Sequence, residues 1–305
     1  MPTFSITVTY FHLLSEFLKG CCSLALNGCD NHSKLLKFKK SVTVGETFEC
    51  KLWRPMYRNK RISVYFPCRN ESGHLEQVIN SIPTFVDEVI VVSNKSTDNT
   101  VAHARKLGVQ AIEDNRTNGG IGYGYAHMTG IDRATGDIIV AADADGTYPI
   151  AQLAEVLDHY IDNDIEFMSC NRHPLLDETT MPFKLRLGVW ILNAEVRVLY
   201  GRKIHDILSG MWLVSAHVKD HLDLTMGDWN LSPEIKLNAL MKKSIKFSEY
   251  HIKQHQRHGE SHQNHWKTGW SHLRWIARHR VNMLASALRT NGVRRLQSAD
   301  IEEAM

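Results

Sequence analysis

From Arg61 onward the chain alternates short apolar runs with longer segments whose apolar positions recur every three or four residues. "RISVYFP" reads as a buried strand, "HLEQVINSI" as a helix, "DEVIVVS" as a strand, and "STDNTVAHARKLG" as a capped helix stopping at Gly108. "VQAIE" follows as a short strand, "GYGYAHMTGIDRAT" as a helix, "DIIVAAD" as a strand, "IAQLAEVLDHYIDN" as an amphipathic helix and "IEFMSCNR" as another strand. This alternation predicts an α/β fold, a mostly parallel sheet covered by helices on both faces.

After Arg172 the alternation lapses. "FKLRLGVWILNAEVRVLYG" reads as one long helix, "DILSGMWLVS" as a turn and strand, "SPEIKLNALMKK" as a helix with Pro near its start, and "SIKFSEYHI" as a strand. A last helix is predicted from Trp270 to Arg289, with Trp270, Leu273, Ala277, Val281, Leu284 and Leu288 at helical spacing and Arg274, Arg278 and Arg289 on the remaining face. Such a helix either packs on the protein's own core or lies on a membrane surface. Four segments follow: an N-terminal extension over 1–60 with no readable role, a first half over 61–172, a second half with the C-terminal helix over 173–290, and a tail over 291–305.

The sharpest chemical signal is "AADADGTYP", residues 141–149. Asp143 and Asp145 sit where an apolar strand emerges, which in an open α/β sheet is where ligands bind. Two carboxylates this close repel unless a cation compensates, and hard oxygen ligands suit Mg²⁺ or Mn²⁺ with phosphate filling the other positions. The alternative is a strand-end cap followed by an Asp-Gly turn. In "NGGIGYGYA", Gly119, Gly120, Gly122 and Gly124 would let a ligand approach backbone just before a helix N-terminus, a setting that favours anions.

Composition narrows the class. The 305 residues are 43% hydrophobic and 23% charged, ordinary globular usage. A formal charge of +3 does not describe a polyanion binder as a whole. Residues 251–295, however, hold nine Lys/Arg against one acid, so an anionic partner is expected there. The six Cys form no framework and read as the reduced thiols of an intracellular protein, with a metal cluster of Cys21, Cys22 and Cys29 as the other reading. His12, Glu16 and Lys19 interrupt the apolar N-terminal stretch, which therefore reads as neither a signal peptide nor a span. A cytoplasmic protein, soluble or peripheral on the cytosolic face of a membrane, is the expectation.

In order, the chain writes "VYFPCRNE", "VVSNKSTDNT", "NGGIGYGYAHMTGIDRATGD", "AADADGTYP", "SCNR", "DILSGMWLVS" and "HQRHGESH". That series, over about residues 61–280, resembles the inverting family 2 glycosyltransferases of GT-A fold, most of all the dolichyl-phosphate mannosyltransferases and related polyprenyl-phosphate hexosyltransferases. The resemblance implies transfer of a hexose from a nucleotide sugar of GDP-mannose or UDP-glucose type to a polyisoprenyl (dolichyl) phosphate. It implies donor contacts from Pro67, Arg69, Asn70, Glu71, Ser93, Lys95, Gly120, Gly122, Gly124 and Asp143, with Asp143 and Asp145 as metal ligands and Asp145 central to catalysis. Arg172, Arg186, Ser209, Gly210, Arg257, Ser261 and His262 would bind the acceptor. Glu234 or Asp228 would be the base for a hydroxyl acceptor; a phosphate is already anionic and needs none.

Two departures stand out. Where the family usually writes Asp-Asp after its second strand, this chain has Ser93 and Asn94; where it writes Gly-x-Ser-Lys, this chain ends in His262. The rival readings are the same chemistry on a glycan, protein or nucleic-acid hydroxyl, a catalytically inactive nucleotide-sugar-binding module, and a sugar nucleotidyltransferase. The last lacks its early glycine-rich loop.

Overall fold

A computed structural model describes residues 56–117, 120–257 and 264–303, the last stretch as backbone alone from residue 290. The expected N-terminal extension therefore lies outside the described residues as far as residue 55. Seven strands form one sheet in the order β3-β2-β1-β4-β6-β5-β7. They are β1 (Ile62–Cys68), β2 (Glu88–Ser93), β3 (Gln110–Glu113), β4 (Ile138–Ala141), β5 (Phe167–Asn171), β6 (Trp212–Ser215) and β7 (Phe247–His251). β1 pairs in parallel with both β2 and β4, whereas β6 runs antiparallel between β4 and β5. The strand order turns back at β1, and a crevice opens at the carboxyl ends of β1, β2 and β4.

Every residue of β1 is buried, as a central strand covered on both faces requires. Ile62, Val64 and Phe66 face a core with Leu75, Leu153 and Leu157; Tyr65 faces the opposite one with Ala126, Leu231 and Ile235. The helices involved are α1 (Leu75–Asn80), α3 (Tyr123–Arg133), α4 (Leu153–Asp162) and α6 (Leu231–Met241), with α2 (Thr100–Lys106) between β2 and β3. A third core, with Leu192, Val196, Tyr200, Leu237 and Ile276, joins α5 (Phe183–Tyr200), α6 and α7 (His265–Glu303).

The last helix differs from the sequence expectation at both ends. It starts at His265 rather than Trp270 because Asn264 caps it, its side-chain oxygen accepting from the Lys267 N–H at 3.2 Å. It continues through Glu303, so residues 291–303, expected as a tail, are helical. Gly292 is an isolated glycine, which a helix tolerates. Ile276 is fully buried and the Tyr200 hydroxyl donates to its carbonyl at 2.9 Å, so α7 does pack on the protein's own core.

Candidate active site

The turns after β1 and β2 are built as one unit. Asn70 takes a left-handed conformation (φ 58°), its side-chain oxygen accepts from the Thr97 N–H at 2.8 Å, and its own N–H donates to the Ser96 hydroxyl at 3.1 Å. Asn70 thus fastens one loop to the other and does not line the crevice, whereas Pro67, Arg69 and Glu71 do. Burial, followed by the nearby Asp145 charge, pushes Glu71 up to about 7. Ser93 hydrogen-bonds to Ser96, and Lys95 adopts φ 52° in the turn; neither lines the crevice. Their neighbour Asn94 does, buried, with a side-chain oxygen that has no hydrogen-bond partner among the described residues. Its position, where the family writes a second Asp, supplies an uncharged acceptor.

Asp145 follows β4 with its side chain fixed: one oxygen accepts from the Thr147 N–H at 3.0 Å and from the Thr147 hydroxyl at 2.6 Å. The other oxygen meets the Arg257 guanidinium at 3.3 Å. Asp143 accepts from the Tyr123 hydroxyl at 3.1 Å, and burial together with the Asp145 charge pushes its carboxyl upward. Two carboxylates with hard oxygen donors suit a divalent cation, and Arg257 offsets only part of their charge, through Asp145. Among the described residues no three His, Cys, Asp or Glu side chains gather as a complete ligand set. Two protein carboxylates with a substrate diphosphate completing the shell is the arrangement Mg²⁺ and Mn²⁺ favour.

The glycine loop does something the sequence did not suggest. A Cβ on Gly120 would lie 1.8 Å from an Asp228 carboxylate oxygen, and one on Gly124 would lie 2.0 Å from the Met226 carbonyl. These glycines admit the protein's own segment 226–228, while Gly122 supplies the left-handed residue (φ 78°) that opens α3. Tyr123 stacks on Trp229 with ring centroids 4.5 Å apart, and both line the crevice beside Asp143.

Of the acceptor candidates, Arg172 and Arg257 line the crevice. Arg172 is held by fully buried Asp206, with Nε and Nη2 donating to its two oxygens at 2.7 and 3.1 Å. Arg186 instead pairs with Glu178 at 2.9 Å and lies over the Phe183 ring. Ser209 is buried, its hydroxyl accepting from the Met211 N–H at 3.3 Å. Gly210 backs Asp143: a Cβ there would lie 2.6 Å from an Asp143 oxygen. Fully buried Lys236 holds this turn from behind, donating to the carbonyls of Ile207 at 2.9 Å and Ser209 at 2.6 Å. Ser261 and His262 lie outside the described residues, as does Gly119.

The two candidate bases separate. The Glu234 carboxylate accepts from the Thr225 and Met226 N–H groups at 3.0 and 2.8 Å and from the Thr225 hydroxyl at 2.6 Å, so it ties down the 225–226 loop and does not line the crevice. Asp228 does not line the crevice either, but it precedes Trp229, which does; it is half-buried against Gly120, with one buried oxygen unpartnered among the described residues and a carboxyl pushed upward by burial. The crevice, about 1060 Å³, then runs on between α5 and α7 past Leu185, Val189, Leu192, Trp266, Trp270 and Leu273. Its polar end is the carboxylate and arginine cluster; its far walls are mostly apolar, with Lys184, Thr268 and His272 among them.

Sequence reasoning missed Asn94, Tyr123, Asp206, Trp229 and Lys236. Asn94 and Tyr123 lie inside motifs whose charged or glycine neighbours carry the stronger signal. Asp206 and Lys236 are buried charges whose partners lie far along the chain, and only the folded arrangement joins them.

Known proteins share this architecture. The glucosyl-3-phosphoglycerate synthase of Mycobacterium tuberculosis, solved with UDP, superposes with a TM-score of 0.57 at 20% identity over 74% of this chain and 80% of that one. The same enzyme with Mn²⁺, UDP-glucose and phosphoglyceric acid gives 0.55 at 18% identity, over 73% and 80%. The low-salt glycan biosynthesis hexosyltransferase Agl6 of Haloferax volcanii is 28% identical over 233 residues, 74% of this chain and 55% of that protein. The dolichyl-phosphate hexose transferase of the same organism is 28% identical over 190 residues, 60% of this chain and 80% of that one. This chain thus spans about half the length of Agl6. The glycosyl transferase family 2 model matches residues 63–221, from β1 through β4 and the Asp143–Asp145 loop to the segment after β6, and the chain belongs to that family.

Proposed function

We propose that this glycosyltransferase moves one hexose from a nucleoside-diphosphate sugar to a polyisoprenyl phosphate, by direct displacement with inversion and with a divalent metal at Asp143 and Asp145. The observation that carries the reading is the single crevice that begins at Asp143, Asp145, Arg172 and Arg257 and continues between apolar walls of α5 and α7. A phosphate with a hydrocarbon chain needs both parts joined. The dolichyl-phosphate hexose transferase of Haloferax volcanii supports the acceptor class. The Mn²⁺ and UDP-glucose bound to the mycobacterial synthase support a metal and a uridine donor.

Asp143 and Asp145 would hold Mg²⁺ or Mn²⁺, which supplies Lewis-acid stabilisation of the departing diphosphate. Thr147 and Tyr123 fix the two carboxylates in advance, so little reorganisation is left for the reaction. Asn94 and Glu71 offer hydrogen-bonding groups to the nucleoside, Glu71 as donor when it carries its proton. Arg172, clamped by Asp206, and Arg257 take the acceptor phosphate and the diphosphate, for which the planar guanidinium is apt. An acceptor phosphate oxygen attacks the anomeric carbon from the side opposite the diphosphate; that carbon–oxygen bond forms as the bond to the diphosphate breaks, and no proton needs removal.

A second reading, transfer to a hydroxyl, draws on one observation: Asp228, next to the crevice residue Trp229, is a half-buried carboxyl with an unpartnered oxygen, which a shift of the 226–229 segment would have to expose before it could accept a proton. Nucleoside diphosphate release from UDP- and GDP-sugars with Mn²⁺ or Mg²⁺, with and without dolichyl phosphate, tests both readings. Release that requires metal and lipid phosphate and vanishes in Asp145→Asn supports the first. Metal-dependent release indifferent to the lipid, but lost in Asp228→Asn, transfers the assignment to hydroxyl acceptors.

A further inference from the structure

The helix α5 is apolar on two sides. Leu192, Val196 and Tyr200 face the third core and buried Val189 lines the crevice, yet Phe183, Leu187, Trp190, Ile191 and Val198 stand exposed, Trp190 at 66% and Val198 at 81%. At 100° per residue these five fall within roughly 100° of one another, on the side opposite the buried face. One face anchors the helix; the other stands largely open to solvent, with Arg186 over the Phe183 ring.

The helix α7 repeats the pattern more tightly. Its exposed apolar residues Trp266, Trp270, Val281, Leu284 and Leu288 fall within roughly 60° of arc, while His272 and Ile276 turn into the protein. Beside that stripe run Lys267, Arg274, Arg278 and Arg289, and no acid occurs between His265 and Arg289. Lys267, Arg274 and Arg278 line an outer groove of about 660 Å³ with Trp270 and Trp275, and among the described residues none of the three has an ion-pair partner. Tryptophans at the edge of an apolar stripe flanked by cations are what a helix lying in a membrane interface presents. No helix among the described residues is long and apolar enough to cross a membrane.

The two faces meet at the mouth of the crevice. Ile191 on α5 and Trp266 and Trp270 on α7 are exposed and also line the crevice. We propose that the outer faces of α5 and α7 form a docking surface for a bilayer containing anionic lipids, with headgroup phosphates in the Lys267–Arg274–Arg278 groove and the crevice opening between the two helices into the hydrocarbon. The occupant is a lipid surface rather than a protein because the cations are consecutive along one helix face and unrelieved by any acid, and the apolar stripe continues into the crevice. The proposal deepens the lipid-phosphate reading, and rests on it for why the crevice should open there.

The test is co-sedimentation of the full chain with vesicles, without donor or acceptor. One set contains phosphatidylcholine alone, the other an equal mixture of phosphatidylcholine and phosphatidylglycerol. The chain is expected to sediment with the mixed vesicles, to be released by high salt, and to bind phosphatidylcholine weakly. Arg274→Glu with Arg278→Glu should lower partitioning at least about tenfold, because two reversed charges near an anionic surface are worth more than one decade. Trp190→Ser, at an exposed position away from the crevice lining, should also lower it and provides a second variant if the double reversal fails to fold. Failure to sediment with the mixed vesicles, or equal sedimentation of wild type and folded variants, overturns the proposal. Turnover of detergent-solubilised lipid phosphate separates the two claims: turnover without vesicle binding overturns the docking surface alone, and vesicle binding without turnover of any lipid phosphate upholds the surface while the acceptor reading fails.

Discussion

The Arg257 guanidinium stands 3.3 Å from the Asp145 carboxylate, 112 positions away in sequence, and so places a positive charge where buried Asp145 and partly buried Asp143 converge. Without it, Asp143 and Asp145 repel each other in a poorly solvated site. Arg257→Ala is expected to lower the stability of the metal-free protein by about 1 kcal/mol, a modest figure because the arginine is partly exposed. Mn²⁺ alone should stabilise the variant more than the wild type, since the metal then supplies the missing charge, whereas UDP added with Mn²⁺ should add less to the variant, which lacks a diphosphate contact. Thermal unfolding with no ligand, with Mn²⁺ and with Mn²⁺ plus UDP measures this; equal stabilisation of both proteins by Mn²⁺ alone would contradict the account.

Glu234 and Asp228 should part company on mutation. Glu234→Gln weakens the hold on the Thr225 and Met226 N–H groups and is expected to cost about 1–3 kcal/mol in urea denaturation, with a pH–rate profile unchanged in shape. Asp228→Asn should leave stability nearly unchanged and spare turnover with a phosphate acceptor. If Asp228→Asn instead abolished turnover with lipid phosphate, the carboxylate would have a part in the reaction beyond that of a base.

Gly210→Ala puts a methyl group 2.6 Å from the Asp143 carboxylate. Either the turn or Asp143 has to move, and overpacking of this kind costs about 1–3 kcal/mol. Turnover should fall by at least about tenfold, as a 1 Å misplacement can do more than that. Wild-type rates in a folded variant would show that Asp143 tolerates displacement.

His272 yields a pH prediction. Burial, assisted by the Lys236 charge, pushes its imidazole down from 6.5 to about 4, so the folded protein keeps the ring neutral where the unfolded chain protonates it. Below pH 6.5 the unfolded state binds the extra proton, and stability is lost progressively as pH falls towards 4, by up to about 3 kcal/mol from this group. The loss levels off below pH 4. In His272→Gln, urea denaturation across that window should show a correspondingly shallower slope; an unchanged slope would rule His272 out as its source.

The first half was legible because its strands are short uniform apolar runs and its helices carry a clear 3.6-residue period, signals that need no distant partner. The Asp143–Asp145 pair was legible because two carboxylates one residue apart at a strand end are costly without a cation. The glycines of 120–124 were not, since a glycine records that something comes close and not what: here it is segment 226–228. Asn70 likewise follows a strand where a donor contact is expected, yet its side chain is occupied with Thr97. The N-terminal turn of α7 escaped notice because its cap, Asn264, precedes the apolar period by six residues.

The most direct test of the central claim is transfer of radiolabelled hexose from UDP- or GDP-sugar into the solvent-extractable lipid fraction, with Mn²⁺ and dolichyl phosphate. The account predicts label in a mild-acid-labile lipid for the wild type, none when a chelator replaces the metal, and none for Asp145→Asn. Label entering the lipid fraction undiminished in Asp145→Asn would contradict it, as would the wild type leaving the lipid unlabelled while transferring hexose to a hydroxyl acceptor.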